Sequence, residues 1–266
     1  MKHTASLGKH KARKRFGQNF LHDSHIIGSI VRSINPQPTD HIIEIGPGQG
    51  ALTAEIVSHC ERLDAIELDR DLLTLLLASF SIYKGFHLHN QDALKTDYRS
   101  LHQGRPMRVV GNLPYNISTP LILALFEYSD LIQDMHFMLQ SEVVDRLCAS
   151  PNTKAWGRLG ILAQYLCRVE RILDVPPEAF DPPPKVQSAV VRLRPKPSAE
   201  IDRIQLGKLQ KLVKQAFAQR RKTLRNNLKG WVSDAEMETV GIDPGSRAES
   251  ISLQQWITLS DGIESQ

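Results

Sequence analysis

Residues 111–119 read GNLPYNIST and directly follow the apolar run 107–110, which predicts a β-strand. An amide side chain, a proline and an aromatic ring then follow one another within Asn112–Tyr115. Because Pro114 fixes the backbone, the carbonyl of Leu113 is held rigidly in front of it. The Asn112 side-chain oxygen and this carbonyl can each accept one N–H of an amine whose lone pair is delocalised into a ring. Two such acceptors favour tetrahedral nitrogen and direct its lone pair at an electrophile, with no strong base required.

The same segment also has a simpler interpretation. A proline often ends a strand, and a tyrosine beside it then marks the edge of the core. For GNLPYNIST in isolation this is the better explanation, so the neighbouring strand ends must decide between the two.

The elements that position this segment alternate between extended and helical patterns, which predicts βαβ units and a parallel sheet. The predicted strands are 41–45, 62–68, 86–91, 108–111, 135–140, 169–175 and 186–193. The predicted helices are 51–58, 71–80, 119–128, one from 142, and 159–166. The linker 195–198 is followed only by helical periodicity.

Ligands of open parallel sheets bind at the carboxyl ends of the strands, where strand order reverses. After the first predicted strand, Gly46, Gly48 and Gly50 form a turn that lets a ligand approach the backbone. About twenty residues further on, Glu67 can accept both hydroxyl groups of a ribose. A nicotinamide or flavin cofactor would satisfy this pattern equally well, so the turn alone does not choose between cofactors.

Two further strand ends favour a different cofactor. Asp92 follows the third predicted strand and can accept a hydrogen bond from an adenine amino group. With Asn112–Tyr115 at the next strand end, the cluster suits S-adenosylmethionine, whereas NAD needs space for a second nucleotide where these residues stand. An exocyclic adenine amine then fits the two acceptors, and Tyr115 would stack on the base, as in enzymes that act on an extruded base.

The composition is that of an ordinary globular protein. Of 266 residues, 41% are hydrophobic and 23% charged, and the net charge is +4. The three cysteines are far apart and lack metal-ligand spacing, which favours reduced thiols and a cytoplasmic location. We expect no metal site, no membrane span, and a monomer. His22-Asp23-x-His25 is read as polar surface.

Two basic segments favour a nucleic acid partner. The first fifteen residues contain six basic and no acidic residues, and residues 203–233 are free of acids. The second segment, with Leu209, Val213 and Phe217 facing inward, is interpreted as a basic amphipathic helix that contacts RNA phosphates. The predicted RNA contacts are Lys11, Arg13, Lys14, Arg15, Lys185, Arg220, Arg221, Lys222 and Arg225. The predicted domains are a basic tail (1–15), a catalytic domain (16–195) and a helical RNA-binding domain (200–266).

Four motifs in the same order resemble the ribosomal RNA adenine N6-dimethyltransferases, in particular those of the bacterial small (16S) subunit. They are RKRFGQNFLHD (13–23), EIGPGQGALT (44–53), GNLPYNIST (111–119) and FDPPPKVQSAVVRL (180–193). GIDPGSRAESIS (241–252) also fits, so the resemblance runs from about residue 13 to the C-terminus.

The resemblance implies a Rossmann-like class I methyltransferase fold with a mostly parallel seven-stranded sheet, plus a small all-helical C-terminal domain. It implies that Asn19 and Leu21 contact S-adenosylmethionine together with Gly46, Gly48, Glu67, Asp92 and Asn112. Phe180 would cover the second face of the target adenine. The implied reaction adds two methyl groups to each of two adjacent adenines near the 3′ end of small-subunit RNA, in an immature small ribosomal subunit.

Two alternatives remain. The first is a relative that methylates large-subunit RNA and confers macrolide resistance, which the full C-terminal segment 208–260 argues against. The second is a non-catalytic ribosome-assembly factor, which the intact Asn112–Tyr115 segment argues against.

Overall fold

The structure is a computed structural model, and it describes residues 18–262. The predicted basic tail, with Lys11, Arg13, Lys14 and Arg15, lies outside these residues. The strands are β1 (Phe20–Leu21), β2 (His41–Ile45), β3 (Arg62–Glu67), β4 (Phe86–Asn90), β5 (Met107–Asn112), β6 (Ile132–Gln140), β7 (Cys167–Val175), β8 (Phe180–Asp181) and β9 (Ser188–Pro195).

Helices and strands alternate from β2 to β6, and only helices follow β9 up to residue 262, as the sequence predicts. They are α1 (Ser24–Ile34), α2 (Ala51–Ile56), α3 (Arg70–Phe80), α4 (Tyr98–Leu101), α5 (Ser118–Leu125), α6 (Ser141–Leu147), α7 (Arg158–Leu166), α8 (Arg203–Ala216), α9 (Leu224–Asn227), α10 (Asp234–Thr239) and α11 (Leu253–Asp261). Within the described residues, no helix is long and apolar enough to cross a membrane.

Seven strands form the predicted sheet, in the order β4-β3-β2-β5-β6-β9-β7. The strands β4, β3, β2, β5 and β6 pair in parallel with their neighbours. The chain leaves β2 toward β3 and β4 on one side, then returns to β5 and β6 on the other. Strand order therefore reverses between β2 and β5, and their carboxyl ends carry Gly46 and Asn112 side by side.

The core explains why these segments fold as they do. All five residues of β2 are buried, as expected for a strand covered on both faces. In α3, the buried residues Leu72, Leu76 and Phe80 recur every four positions, so they form one apolar stripe. Gly111 in β5 has no space for a side chain, because a Cβ atom there would lie 2.4 Å from the Ile45 carbonyl oxygen.

Helices α1 and α4 and strands β1 and β8 were not predicted. Helix α1 follows Asp23, whose carboxylate accepts hydrogen bonds from His25 N at 2.8 Å and Ile26 N at 3.0 Å and so caps the helix. Strands β1 and β8 form a separate antiparallel pair, with Leu21 opposite Phe180. Two-residue strands show no periodicity in a sequence, so only the fold reveals them.

The chain divides into two compact units. The first comprises residues up to Ser141 together with Arg171–Arg192, and the second comprises Glu142–Glu170 together with the residues from Leu193 onward. This division assigns Glu142–Glu170 to the C-terminal unit, whereas the sequence places the boundary at residues 195–200. In the second unit, Leu209 and Val213 are fully buried in α8, as predicted.

The basic segment 203–233 is not one continuous helix, and this part of the prediction is wrong. Helix α8 ends at Ala216, and α9 begins only at Leu224. The buried Asn227 amide donates to the carbonyls of Ala216, Gln219 and Lys222 at 2.8, 3.1 and 3.4 Å. These bonds hold the segment in a turn, since they satisfy carbonyls that a continuing helix would use.

Candidate active site

A cavity of about 320 Å³ opens in the first unit at the carboxyl ends of β2, β3 and β5. This volume lies within the range of about 300–1,000 Å³ for small-molecule sites. All seven residues predicted to bind the cofactor line the cavity: Asn19, Leu21, Gly46, Gly48, Glu67, Asp92 and Asn112. Leu113, Pro114 and Tyr115 line it as well. The tertiary structure therefore brings these ten residues together.

The glycine turn after β2 is shaped by positive backbone angles. Gly46, Gly48 and Gly50 have φ values of 65°, 59° and 83°, which glycine adopts without strain. A Cβ atom on Gly50 would lie 2.5 Å from the Phe80 ring, and one on Gly48 would lie 3.2 Å from the Phe20 ring. Larger residues would therefore displace Phe20 in the cavity wall or Phe80 in the core, as well as strain the turn.

Glu67 ends β3 and is held in place by the backbone. Its carboxylate accepts hydrogen bonds from Asp69 N at 2.8 Å and Gly48 N at 3.3 Å. Burial raises the pKa of this carboxyl above its usual value, although both backbone bonds oppose the change. A hydrogen bond thus joins the glycine turn directly to Glu67, the residue predicted to bind a ribose.

Glu44 is a cavity residue that the sequence did not single out. It is 2% exposed, and its carboxylate accepts a hydrogen bond from the Thr53 hydroxyl at 2.6 Å. Burial raises the pKa of the Glu44 carboxyl to about 7. Its place in the EIGPGQGALT motif was the available signal, but its burial is a property of the folded chain only.

Asn112 stands at the end of β5 with its amide group oriented by another cavity segment. Its Nδ2 atom donates to the Asn19 carbonyl oxygen at 3.0 Å. Because the nitrogen makes this bond, the side-chain oxygen is the atom left to accept from a ligand. The bond also links the QNFL and NLPY motifs.

The next three residues form a turn with defined backbone bonds. Leu113 N donates to the Met138 carbonyl at 3.1 Å, and the Pro114 carbonyl accepts from Ile117 N at 3.1 Å. The Tyr115 carbonyl accepts from the Ser118 hydroxyl at 3.2 Å. The carbonyls of Pro114 and Tyr115 are therefore used within the turn, whereas the Leu113 carbonyl is the one predicted to accept from a substrate.

Phe180, which is predicted to cover the second face of the adenine, lies in the core and not in the cavity wall. Phe180 is 2% exposed, packs in the hydrophobic core and is not among the described residues that line the cavity. Its position opposite Leu21 places it next to a cavity residue. Its role over the base stays a prediction. Lys185 is exposed in the loop between β8 and β9.

The basic residues of the second unit fall into two groups. Arg220 donates to the Lys154 carbonyl and lies 3.6 Å from the Glu249 carboxylate, while Arg225 binds Asp234 at 2.7 Å. Arg221 and Lys222 are exposed at the turn between α8 and α9. All four remain predicted RNA contacts.

The histidines near the sheet belong to a polar cluster of the core. His41 and His89 each contact the Asp64 carboxylate at 2.6 Å. Within residues 18–262, no group of three His, Cys, Asp or Glu side chains has an arrangement that could hold a metal ion.

Comparison with known proteins adds independent information. The family model described as "Ribosomal RNA adenine dimethylase" matches residues 9–265. A "Ribosomal RNA small subunit methyltransferase A" from Saccharophagus degradans is 54% identical over 263 residues, covering 98% of each chain.

Two solved structures share the fold. A dimethyladenosine transferase from Plasmodium falciparum has a TM-score of 0.78 at 23% identity, covering 90% of this chain and 95% of its own. The 23S rRNA methyltransferase ErmE has a TM-score of 0.74 at 23% identity, covering 93% and 100%. With the family match over almost the whole sequence, these findings show that the chain belongs to the ribosomal RNA adenine dimethylases, which are S-adenosylmethionine-dependent methyltransferases.

Proposed function

We propose that this enzyme transfers methyl groups from S-adenosylmethionine to the N6 amines of two adjacent adenines near the 3′ end of small-subunit (16S) ribosomal RNA. The observation that carries the proposal is that the Asn112–Tyr115 turn lines the same cavity as Glu67 and Asp92. The name of the curated relative at 54% identity favours the small subunit over the large one.

The cavity residues fit the cofactor. Glu67 would accept the ribose hydroxyls, Asp92 the adenine amino group, and the positive-φ glycines would admit the ligand close to the backbone. The buried carboxyls of Glu44 and Glu67 suit a ligand with positive charge. When bound, S-adenosylmethionine supplies an electrophilic methyl group on a positively charged sulfur.

The protein's contribution to the transfer is positioning. The Asn112 side-chain oxygen and the Leu113 carbonyl would each accept one N–H of the target amine, while Tyr115 stacks on the base. These acceptors are fixed before the substrate binds, because Asn112 is held by Asn19 and the turn by its own backbone bonds. No reorganisation is then needed as charge develops on the nitrogen.

We further propose that residues 16–195 perform methyl transfer, and that the C-terminal domain (200–266) binds RNA phosphates through Arg220, Arg221, Lys222 and Arg225, together with Lys185. The substrate would be a small-subunit assembly particle in the cytoplasm, and the enzyme would act as a monomer. Exposed basic side chains at Arg221 and Lys222 support this assignment.

The RNA contacts are tested through their salt dependence. Replacing both Arg221 and Lys222 with alanine should weaken RNA binding and reduce the slope of log K against log salt by about two. Arg99→Ala removes an exposed arginine of the first unit and is the matched control. An unchanged slope in the double variant would remove these two residues from the interface.

The reaction is tested with labelled S-adenosylmethionine, unmodified small-subunit particles and, in parallel, large-subunit RNA. We expect N6,N6-dimethyladenosine from the small subunit alone. Label only in large-subunit RNA would instead support the resistance-type activity. Tight particle binding without transfer would support a non-catalytic assembly factor.

A further inference from the structure

One contact joins the proposed base-stacking residue to a different motif. The Tyr115 hydroxyl and the Ser188 Oγ atom lie 2.7 Å apart, within hydrogen-bonding distance. Tyr115 belongs to GNLPYNIST, whereas Ser188 is the first residue of β9, at the end of the loop that carries Lys185. Both residues lie in the first unit.

Both partners are anchored independently of this contact. On one side, the Tyr115 carbonyl accepts from the Ser118 hydroxyl at 3.2 Å. On the other, Ser188 is completely buried, and the carbonyl of the preceding Gln187 accepts from Ser141 N at 2.9 Å. Ser188 is therefore a rigid point, and the half-buried tyrosine ring is held at both of its ends.

We propose that Ser188 is a positioning residue for methyl transfer, which sets the plane of the Tyr115 ring through the tyrosine hydroxyl so that a base can stack on it. The proposal rests on the stacking role given to Tyr115 in the proposed function. A ring that is fixed before binding loses no rotational freedom when the adenine arrives, so more of the stacking energy is used to align the amine.

A purely structural role for the same bond makes a different prediction. If Ser188 only satisfies its own buried hydroxyl, its loss lowers stability and leaves catalysis unchanged at temperatures where the protein is folded. If it acts through the ring, its loss lowers kcat/KM for methyl transfer while the Kd for RNA stays the same, because the substitution removes none of the proposed phosphate contacts.

The test is a double-mutant cycle on methyl transfer to small-subunit particles, with Ser188→Ala, Tyr115→Phe and the double variant. Each single variant removes the same hydrogen bond from one side, so we expect each to lower kcat/KM by roughly three- to tenfold. The double variant should fall no further than either single one. Tyr115→Phe keeps the test valid if Ser188→Ala fails to fold.

Two more variants separate the possible outcomes. Ser260→Ala removes an equally buried serine hydroxyl in the second unit, bonded to the Ile257 carbonyl at 2.8 Å, and should keep the normal kcat/KM. Tyr115→Ala tests the proposed function itself and should nearly abolish transfer. If Tyr115→Ala is inactive but Ser188→Ala is normal, or if the two single effects multiply in the double variant, the role of Ser188 is overturned and the proposed function stands. Normal transfer by Tyr115→Ala would instead overturn the stacking role on which both depend.

Discussion

The two ends of the central strands β2, β3 and β5 both bury charged side chains, but they neutralise them differently. Near the amino end of β5, Arg108 binds both carboxylate oxygens of Asp134, at 2.9 and 2.8 Å, and one of Asp40, at 2.7 Å. Near the amino end of β3, the fully buried Asp64 contacts His41, His89 and Arg62, each at 2.6 Å. An arginine side chain therefore pairs with each of these three acids.

At the carboxyl ends, neutral donors hold the acids instead. Glu44 accepts from the Thr53 hydroxyl, and Glu67 accepts from the backbone N–H groups of Gly48 and Asp69. Burial therefore raises the pKa of both glutamates, whereas the partners of Asp64 hold the pKa of that carboxyl far below its usual value.

The comparison separates acids that stabilise the fold from acids suited to a ligand. Acids paired within the protein are satisfied when the chain folds. Desolvated acids that have no positive neighbour among residues 18–262 cost folding energy, which is the expected signature of a binding site. The substitutions below test this distinction.

The largest effect on activity is expected from Asn112→Ala at the carboxyl ends. Methyl transfer should fall by roughly 100- to 1,000-fold or become undetectable, because one preorganised acceptor is lost. RNA binding, measured by filter retention, should remain nearly normal. If the variant transfers methyl groups at the wild-type rate, Asn112 is not an acceptor for the amine.

The largest effect on stability is expected from Arg108→Ala at the amino ends. Asp134 and Asp40 would then lack their cation, and the free energy of unfolding should fall by about 3–5 kcal/mol. Denaturant unfolding measures this value. Arg99→Ala, which removes the exposed pair with Asp130, should cost about 1 kcal/mol or less. Equal costs for the two arginines would remove the structural role assigned to the amino ends.

A smaller, pH-dependent effect is expected from Glu44→Gln. The folded-state pKa of Glu44, about 7, is above the ordinary value of 4.5, so folding favours the protonated form. Its contribution is fully present below pH 4.5 and is lost as the pH rises through about 7. Because glutamine does not ionise, the variant should be more stable than the wild type by about 3 kcal/mol near pH 8. Near pH 4.5 the two proteins should be equal.

Asp64→Asn is the matched control with the opposite sign. The folded-state pKa of Asp64 is depressed, so its contribution is present above the ordinary value of 3.8 and is lost as the pH falls through the folded pKa. This variant should be less stable than the wild type near neutral pH, with the difference shrinking in acid. Two variants with the same pH trend would contradict the contrast between the two ends of the strands.

Much of the site was predictable because short-range patterns determine it. The run His41–Ile45 followed by glycines, and an acid at Glu67, placed two strand ends correctly. The positions of Asn112 and Tyr115 followed from the strand before them. Parallel strands share a carboxyl edge, so correct strands were sufficient to place these residues in one cavity.

Other features depend on partners that are distant in the sequence. The turn at Arg221 was predicted as helix. The Asn227 amide holds this turn through bonds to three backbone carbonyls, and such bonds leave no periodic pattern in the sequence. The burial of Glu44 and the contact between Tyr115 and Ser188 also require the completed sheet.

The sequence by itself determined the main alternation of strands and helices, the parallel sheet and the residues at its strand ends, because hydrophobic periodicity and turn residues act over a few positions. Its motifs also indicated the family. Only the tertiary structure decided which acids are neutralised and which remain available at the cavity. Desolvation and ion pairing depend on what lies around a side chain in space, and the neighbours of Glu44 and Asp64 are set only when the strands assemble.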